Sequence, residues 1–124
     1  MRKLKVYTIR EVIEVQLRPN NKPLIYILSI NKNIEKGNVL YVGQSGVGNI
    51  FRPKVRIGSL IISVLGFFNE QENKKHTAAE KVYLFCKKND INPLDLYIAW
   101  MYTKQAKEIE KQFIKKYNPK FNKK

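Results

Sequence analysis

The chain has 124 residues, a length that suits one domain burying roughly two-thirds of its unfolded surface. Lysine and arginine number 24 against 10 aspartates and glutamates, a formal net charge of +14. That balance favours a polyanionic partner, nucleic acid first and an anionic membrane surface second, although AT-rich coding also raises lysine content. Cys86 is the only cysteine and His76 the only histidine, which excludes a disulfide framework and a zinc site of the usual ligand spacing. Any metal must then take oxygen ligands, which points to Mg2+ or Mn2+.

From the amino terminus, Val6 to Leu17 alternates too imperfectly to separate strand from helix, so residues 1–20 read as an arm or an extra first strand before a domain at 21–124. Leu24 to Ile30 is a run of branched and aromatic residues, Asn31 to Asn38 carries turn residues, and Val39 to Val42 is apolar again. Together these predict a β-hairpin with Tyr26 and Tyr41 on neighbouring strands. Gly43 to Gly48 reads as a loop, and Pro53 suits the first position of a helix running to about Phe67, with Arg56 about one turn inside it. The longest apolar stretch, Ile57 to Phe68, is broken by Gly58, Ser59, Ser63 and Gly66 and is too short to span a bilayer. With no apolar leader at the amino terminus, an intracellular protein is expected.

Thr77 followed by Glu80 is a capping-box pattern opening a helix to about Lys88. Leu94 to Met101 predicts a third strand, and Thr103 is placed to cap a last helix ending near Tyr117. The segment from Lys104 to Lys124 holds eight lysines against two glutamates.

At roughly 100° per residue, Tyr102, Ala106, Ile109, Phe113, Ile114 and Tyr117 share one arc of that last helix. Glu110 falls inside the arc, whereas Glu108 lies with Lys107, Lys111, Gln112, Lys115 and Lys116 on the other face. A carboxylate turned toward the interior needs a cation, a lysine or arginine, or a raised pKa, which makes Glu110 the best functional candidate that periodicity offers. The competing reading is a carboxylate at the edge of the arc that reaches water or a neighbouring lysine. Tyr97 and Trp100 can stack on bases, but both read better as core.

Ile25-Tyr26 and Tyr41-Val42-Gly43, one on each strand of the hairpin, resemble the paired tripeptides of the GIY-YIG endonuclease family, with Leu24 where the first tripeptide has glycine. Glu110, Phe113-Ile114, Tyr117, Pro119 and Asn122 are similar in order to the closing pattern of that family. The resemblance implies an α/β fold, a small single domain with a three-stranded antiparallel sheet flanked by helices. It also implies hydrolysis of phosphodiester bonds in double-stranded or branched DNA with one divalent metal, of restriction-like, phage or mobile-element type.

In the roles that the resemblance implies, Glu110 holds Mg2+ or Mn2+, and Arg56 neutralises the phosphate, with Arg52 as the alternative under a shorter loop alignment. Tyr26 or Tyr41 positions or deprotonates the attacking water; a free phenol titrates near pH 10, so a base would need an adjacent cation. His76 is an alternate auxiliary group, also readable as a residue ahead of the Thr77 cap. Gly43 and Asn122 support the site, and Lys104, Lys107, Lys111 and Lys115 track backbone phosphates. Target choice is expected from loops or from homodimerisation. The competing function is a non-catalytic nucleic-acid-binding module on the same fold; charge alone would also suit an RNA-binding protein.

Overall fold

In the computed structural model, which describes residues 4–17, 19–20, 22–45, 53–66 and 77–122, the ambiguous first segment is two elements. Side chains are described in these ranges except at 53–56, 59 and 77. Lys5–Thr8 is a strand, β1, and Ile9–Glu14 a helix, α1. Thr8 makes the switch. Its hydroxyl accepts the Glu11 N–H at 3.0 Å, while its own N–H donates to the Glu11 carboxylate at 3.0 Å, closing a capping box. Four strand residues followed by six helical ones are each too few to display a period, so alternation over 6–17 matches neither element.

The backbone hydrogen bond from Thr8, followed by the one from its hydroxyl, holds the Glu11 carboxyl below its ordinary value. The folded value being the lower one, the box contributes fully above the ordinary carboxylate range and is lost as pH falls through the folded value. Thr8→Ala is expected to cost about 1 kcal/mol, measured as a lower urea midpoint at unchanged slope.

Three further strands, β2 (Leu24–Ser29), β3 (Val39–Ser45) and β4 (Tyr97–Tyr102), pair with β1 in one antiparallel sheet of order β1-β4-β2-β3. The α/β class, with helices flanking an antiparallel sheet, is as expected, but the sheet has four strands rather than three because β1 takes the free side of β4. β2 lies inside the sheet and is buried at every position, which explains why its sequence is a continuous apolar run. β4 starts at Tyr97 rather than Leu94. The Asn92 side chain accepts the Leu94 N–H at 3.0 Å, and Pro93 opens a 3-10 turn over Pro93–Asp95 that delays the strand.

The helices are α2 (Pro53–Val64), α3 (Thr77–Lys88) and α4 (Ala106–Tyr117). α2 ends before the expected Phe67, a residue outside the described ones, because Gly66 adopts a left-handed φ of 98°. A Cβ there would also lie 2.6 Å from the Tyr83 ring of α3, so the site demands glycine twice over. Thr103 does not cap α4. Gln105 is the capping residue and makes no side-chain cap bond, while the Thr103 hydroxyl accepts the Gln105 N–H at 3.1 Å in the turn before it.

Leu24, Tyr26, Leu28, Ile98 and Trp100 face a layer made by α1, α2 and α3, where α2 contributes Ile57, Leu60, Ile61 and Val64 at helical spacing. Ile25, Ile27, Val39 and Val42 face Ala106 and Tyr117 of α4 on the other side. The result is a helix–sheet–helix sandwich with Trp100 in its core, against Tyr7. β3 would present a bare outer edge, but the chain after α4 turns at Asn118 (φ 47°) and runs along it. Lys120 and Phe121 donate backbone N–H groups to the Val39 and Leu40 carbonyls at 3.2 and 2.9 Å, and Phe121 meets Phe85 of α3 at 5.7 Å.

Candidate active site on strands β2 and β3

A β-bulge decides where Tyr41 points. Leu28 is opposite Tyr41 and Ser29 opposite Val39, so Leu40 is an extra residue on β3, and Leu40 and Tyr41 both face the layer of α1–α3. Tyr26 faces the same layer, and the two rings meet at 6.0 Å with a 42° tilt. The bulge therefore brings the two tyrosines together. Their surroundings differ: Tyr26 is fully buried (0% exposed), whereas Tyr41 is partly exposed.

Gly43, expected in a loop, lies within β3 opposite Tyr26. The Tyr26 ring lies across it, so a Cβ at Gly43 would overlap the Cζ and hydroxyl of that ring. Glycine stands here because an aromatic ring approaches the backbone, and the strand continues through it.

Asn122 reaches the same spot from the other end of the sequence. Its carboxamide oxygen accepts the Val42 N–H at 2.8 Å and its NH2 donates to the Val42 carbonyl at 2.7 Å. Both free backbone groups of the residue between Tyr41 and Gly43 are thus satisfied by one side chain, as a neighbouring strand would satisfy them. Asn122→Ala leaves two part-buried groups without these partners and is expected to cost about 2 kcal/mol, read as a shift in thermal midpoint.

Glu110 sits where helical periodicity puts it, partly buried on the α4 arc that packs on the second layer through Ala106, Ile109, Phe113, Ile114 and Tyr117. Tyr26, Tyr41 and Glu110 each interact with further groups. Lys104, Lys107, Lys111 and Lys115 are all exposed, the last three one turn apart along the outward face of α4. Lys116 and Lys120 are occupied differently, their ammonium groups resting 5.2 Å from the Tyr117 ring and 4.6 Å from the Phe85 ring.

Arg56 falls in the first turn of α2; its side chain, with Arg52 and His76, lies outside the described residues, as does the Thr77 hydroxyl. Among the described residues no cluster of three or more His, Cys, Asp or Glu side chains occurs. Glu110 is instead a single hard-oxygen donor. That set fits Mg2+ or Mn2+, since Mg2+ keeps most of its waters and takes one or two carboxylates together with substrate phosphate oxygens. Cys86 is buried, and burial pushes its thiol up from the ordinary value, so it is an inert core residue.

No family model, no curated protein and no solved structure matches this chain. Its site is therefore read from its own geometry. No helix among the described residues is long and apolar enough to cross a membrane.

Sequence reading missed one polar feature of the site. Ser45, the last residue of β3, is 2% exposed and its hydroxyl has no hydrogen-bond partner among the described residues; the Gln44 Oε1 beside it is also buried and, among the described residues, unpartnered. Tyr26 pairs with Gly43 and Leu24 with Ser45, so Ser45 shares the tyrosine face and Gln44 the opposite one. The only sequence signal was a polar pair directly after an apolar strand that carries a motif.

Proposed function

We propose that the chain is a metal-dependent DNA endonuclease of GIY-YIG type, hydrolysing phosphodiester bonds in a restriction-like, phage or mobile-element setting. The observation that carries this reading is the Asn122–Val42 clasp. It joins the closing pattern of the sequence to Tyr41-Val42-Gly43, two segments 80 residues apart that a random basic domain has no reason to bring together.

Hydrolysis forms a bond from a water oxygen to phosphorus and breaks a phosphorus–oxygen ester bond. Tyr41, the more accessible tyrosine, orients the attacking water, and Tyr26, packed beneath the surface, fixes the Tyr41 ring. Arg56, or Arg52 in its place, neutralises charge on the phosphoryl oxygens. Glu110 holds Mg2+ or Mn2+, which when bound supplies Lewis-acid stabilisation and a more acidic water. Lys104, Lys107, Lys111 and Lys115 follow backbone phosphates without reading bases, and the net charge of +14 draws the duplex in.

A second reading, a non-catalytic nucleic-acid-binding module, is favoured by the complete burial of Tyr26 and by Leu24 in place of glycine. Plasmid cleavage by the wild type with Mg2+, with Mn2+ and with chelator separates the two. Metal-dependent nicking or linearisation is the expected result; binding without cleavage of plasmid, linear and branched DNA would leave the binding module.

A further inference from the structure

The chain after α4 bonds β3 in a pattern that only a bulged strand can meet. In a regular strand successive carbonyls point to opposite edges. Here the adjacent Val39 and Leu40 carbonyls both face the outer rim, where they accept the Lys120 and Phe121 N–H groups at 3.2 and 2.9 Å. Asn122 then takes Val42, so residues 120–122 serve positions 39, 40 and 42 and leave Tyr41 opposite Leu28 of β2. Were β3 regular from Val39 onward, the Leu40 carbonyl would turn toward β2 and the Tyr41 ring toward the α4 layer, and the Phe121 bond would be lost. That bond therefore stabilises one form of the strand and not the other, which is what a device that selects a conformation must do.

Phe121 is in turn held by α3. Its ring meets that of Phe85 nearly edge-on, with centroids 5.7 Å apart at 71°, and the Lys120 ammonium lies 4.6 Å from the centre of the same Phe85 ring. Both phenylalanines are partly buried against the α1–α3 layer, the layer that Tyr41 faces. We propose that Phe85 and Phe121 are positioning residues: their ring contact keeps the Phe121 N–H on the Leu40 carbonyl, keeps β3 bulged, and so aims Tyr41 beside Tyr26. The kinetic consequence rests on the nuclease reading; the bulge and its support do not. A ring pair that contributed only apolar burial would behave differently, because leucine at either position would lower stability and leave the folded geometry of Tyr41 alone.

The test uses the full chain labelled with 13C and 15N and compares wild type with Phe85→Leu, Phe121→Leu, the double variant and Phe121→Tyr. Two signals of the folded state are read: the coupling across the hydrogen bond from the Phe121 nitrogen to the Leu40 carbonyl carbon, and the proton cross-relaxation between the Tyr26 and Tyr41 rings. Both are expected to weaken in either leucine variant and to persist in Phe121→Tyr, whose ring is kept at a partly exposed position. On plasmid substrate kcat should fall about tenfold in each leucine variant with KM unchanged, and recover in Phe121→Tyr. Because Phe85 acts through Phe121, the double variant should be no slower than Phe121→Leu alone. Unchanged coupling and ring cross-relaxation in the leucine variants, or in Phe85→Leu alone if Phe121→Leu does not fold, overturn the proposal. So does wild-type kcat in a folded leucine variant. A wild type that does not cleave, with both signals weakened in the variants as expected, overturns the nuclease reading and leaves the support of the bulge standing.

Discussion

Glu110→Ala is expected to reduce metal-dependent plasmid cleavage at least about 10^3-fold while DNA affinity stays level or rises. The rate loss follows from the chemistry proposed for one carboxylate: its removal takes away the anionic ligand assigned to the divalent ion, and with it several kcal/mol of charge stabilisation at the phosphoryl group. The affinity follows from the opposite sign. A carboxylate beside a polyanion repels it, and the outward lysines that hold the backbone are untouched on the other face of α4. Alanine is also the better helix former, so α4 itself should persist. The experiment pairs cleavage with an electrophoretic binding assay at fixed salt. Undiminished cutting by Glu110→Ala would sink the metal assignment, whereas loss of both binding and cutting would show that Glu110 holds the domain together.

Gly43→Ala is expected to destabilise the domain by about 2 kcal/mol and, under the proposed nuclease function, to remove cleavage, a large effect for one methyl group. The added Cβ occupies the space of the Tyr26 ring, which is enclosed by core on its other sides and cannot swing outward. Either the ring or β3 must move, and the ring is what packs against Tyr41. A double-mutant cycle isolates the cause. In a Tyr26→Leu background the ring is gone, so Gly43→Ala should become nearly neutral or mildly stabilising, as alanine is over glycine in a strand. A full penalty in that background would mean that Gly43 is needed for its backbone rather than for ring clearance. Chemical denaturation of the four proteins gives the answer.

The parts of this structure legible in the sequence are those whose elements are long or chemically loud. The hairpin announced itself through the branched run at Leu24 and the asparagine-rich turn, and α4 through a stripe that also singled out Glu110. α1 was hidden although Thr8 and Glu11 carry the same capping signature as Thr77 and Glu80, because it directly follows a four-residue strand that blurs the period. The start of β4 was masked by Asn92 and Pro93, whose local turn overrides the strand preference of Leu94. At the site, Gly43 looked like a turn residue because glycine has two uses, permitting unusual backbone angles and clearing space, and only three-dimensional contact distinguishes them. The direction of Tyr41 was equally illegible, since a bulge at Leu40 reverses the alternation that would otherwise fix it. Asn122 could be placed by pattern but its action could not, because the edge it satisfies is formed 80 residues earlier.

That separation has a consequence for how the protein is made. Val42 leaves the ribosome while the side chain that will cover it has still to be synthesised, so the rim of β3 is open during elongation and able to pair with whatever strand it meets. Helices α2 and α3 can form from local contacts in that interval, but the last backbone groups of the tyrosine strand are satisfied only after Asn122 has emerged and a long loop has closed. Under the nuclease function proposed above, a strand rim that is satisfied only after Asn122 has emerged is a delay written into the order of translation.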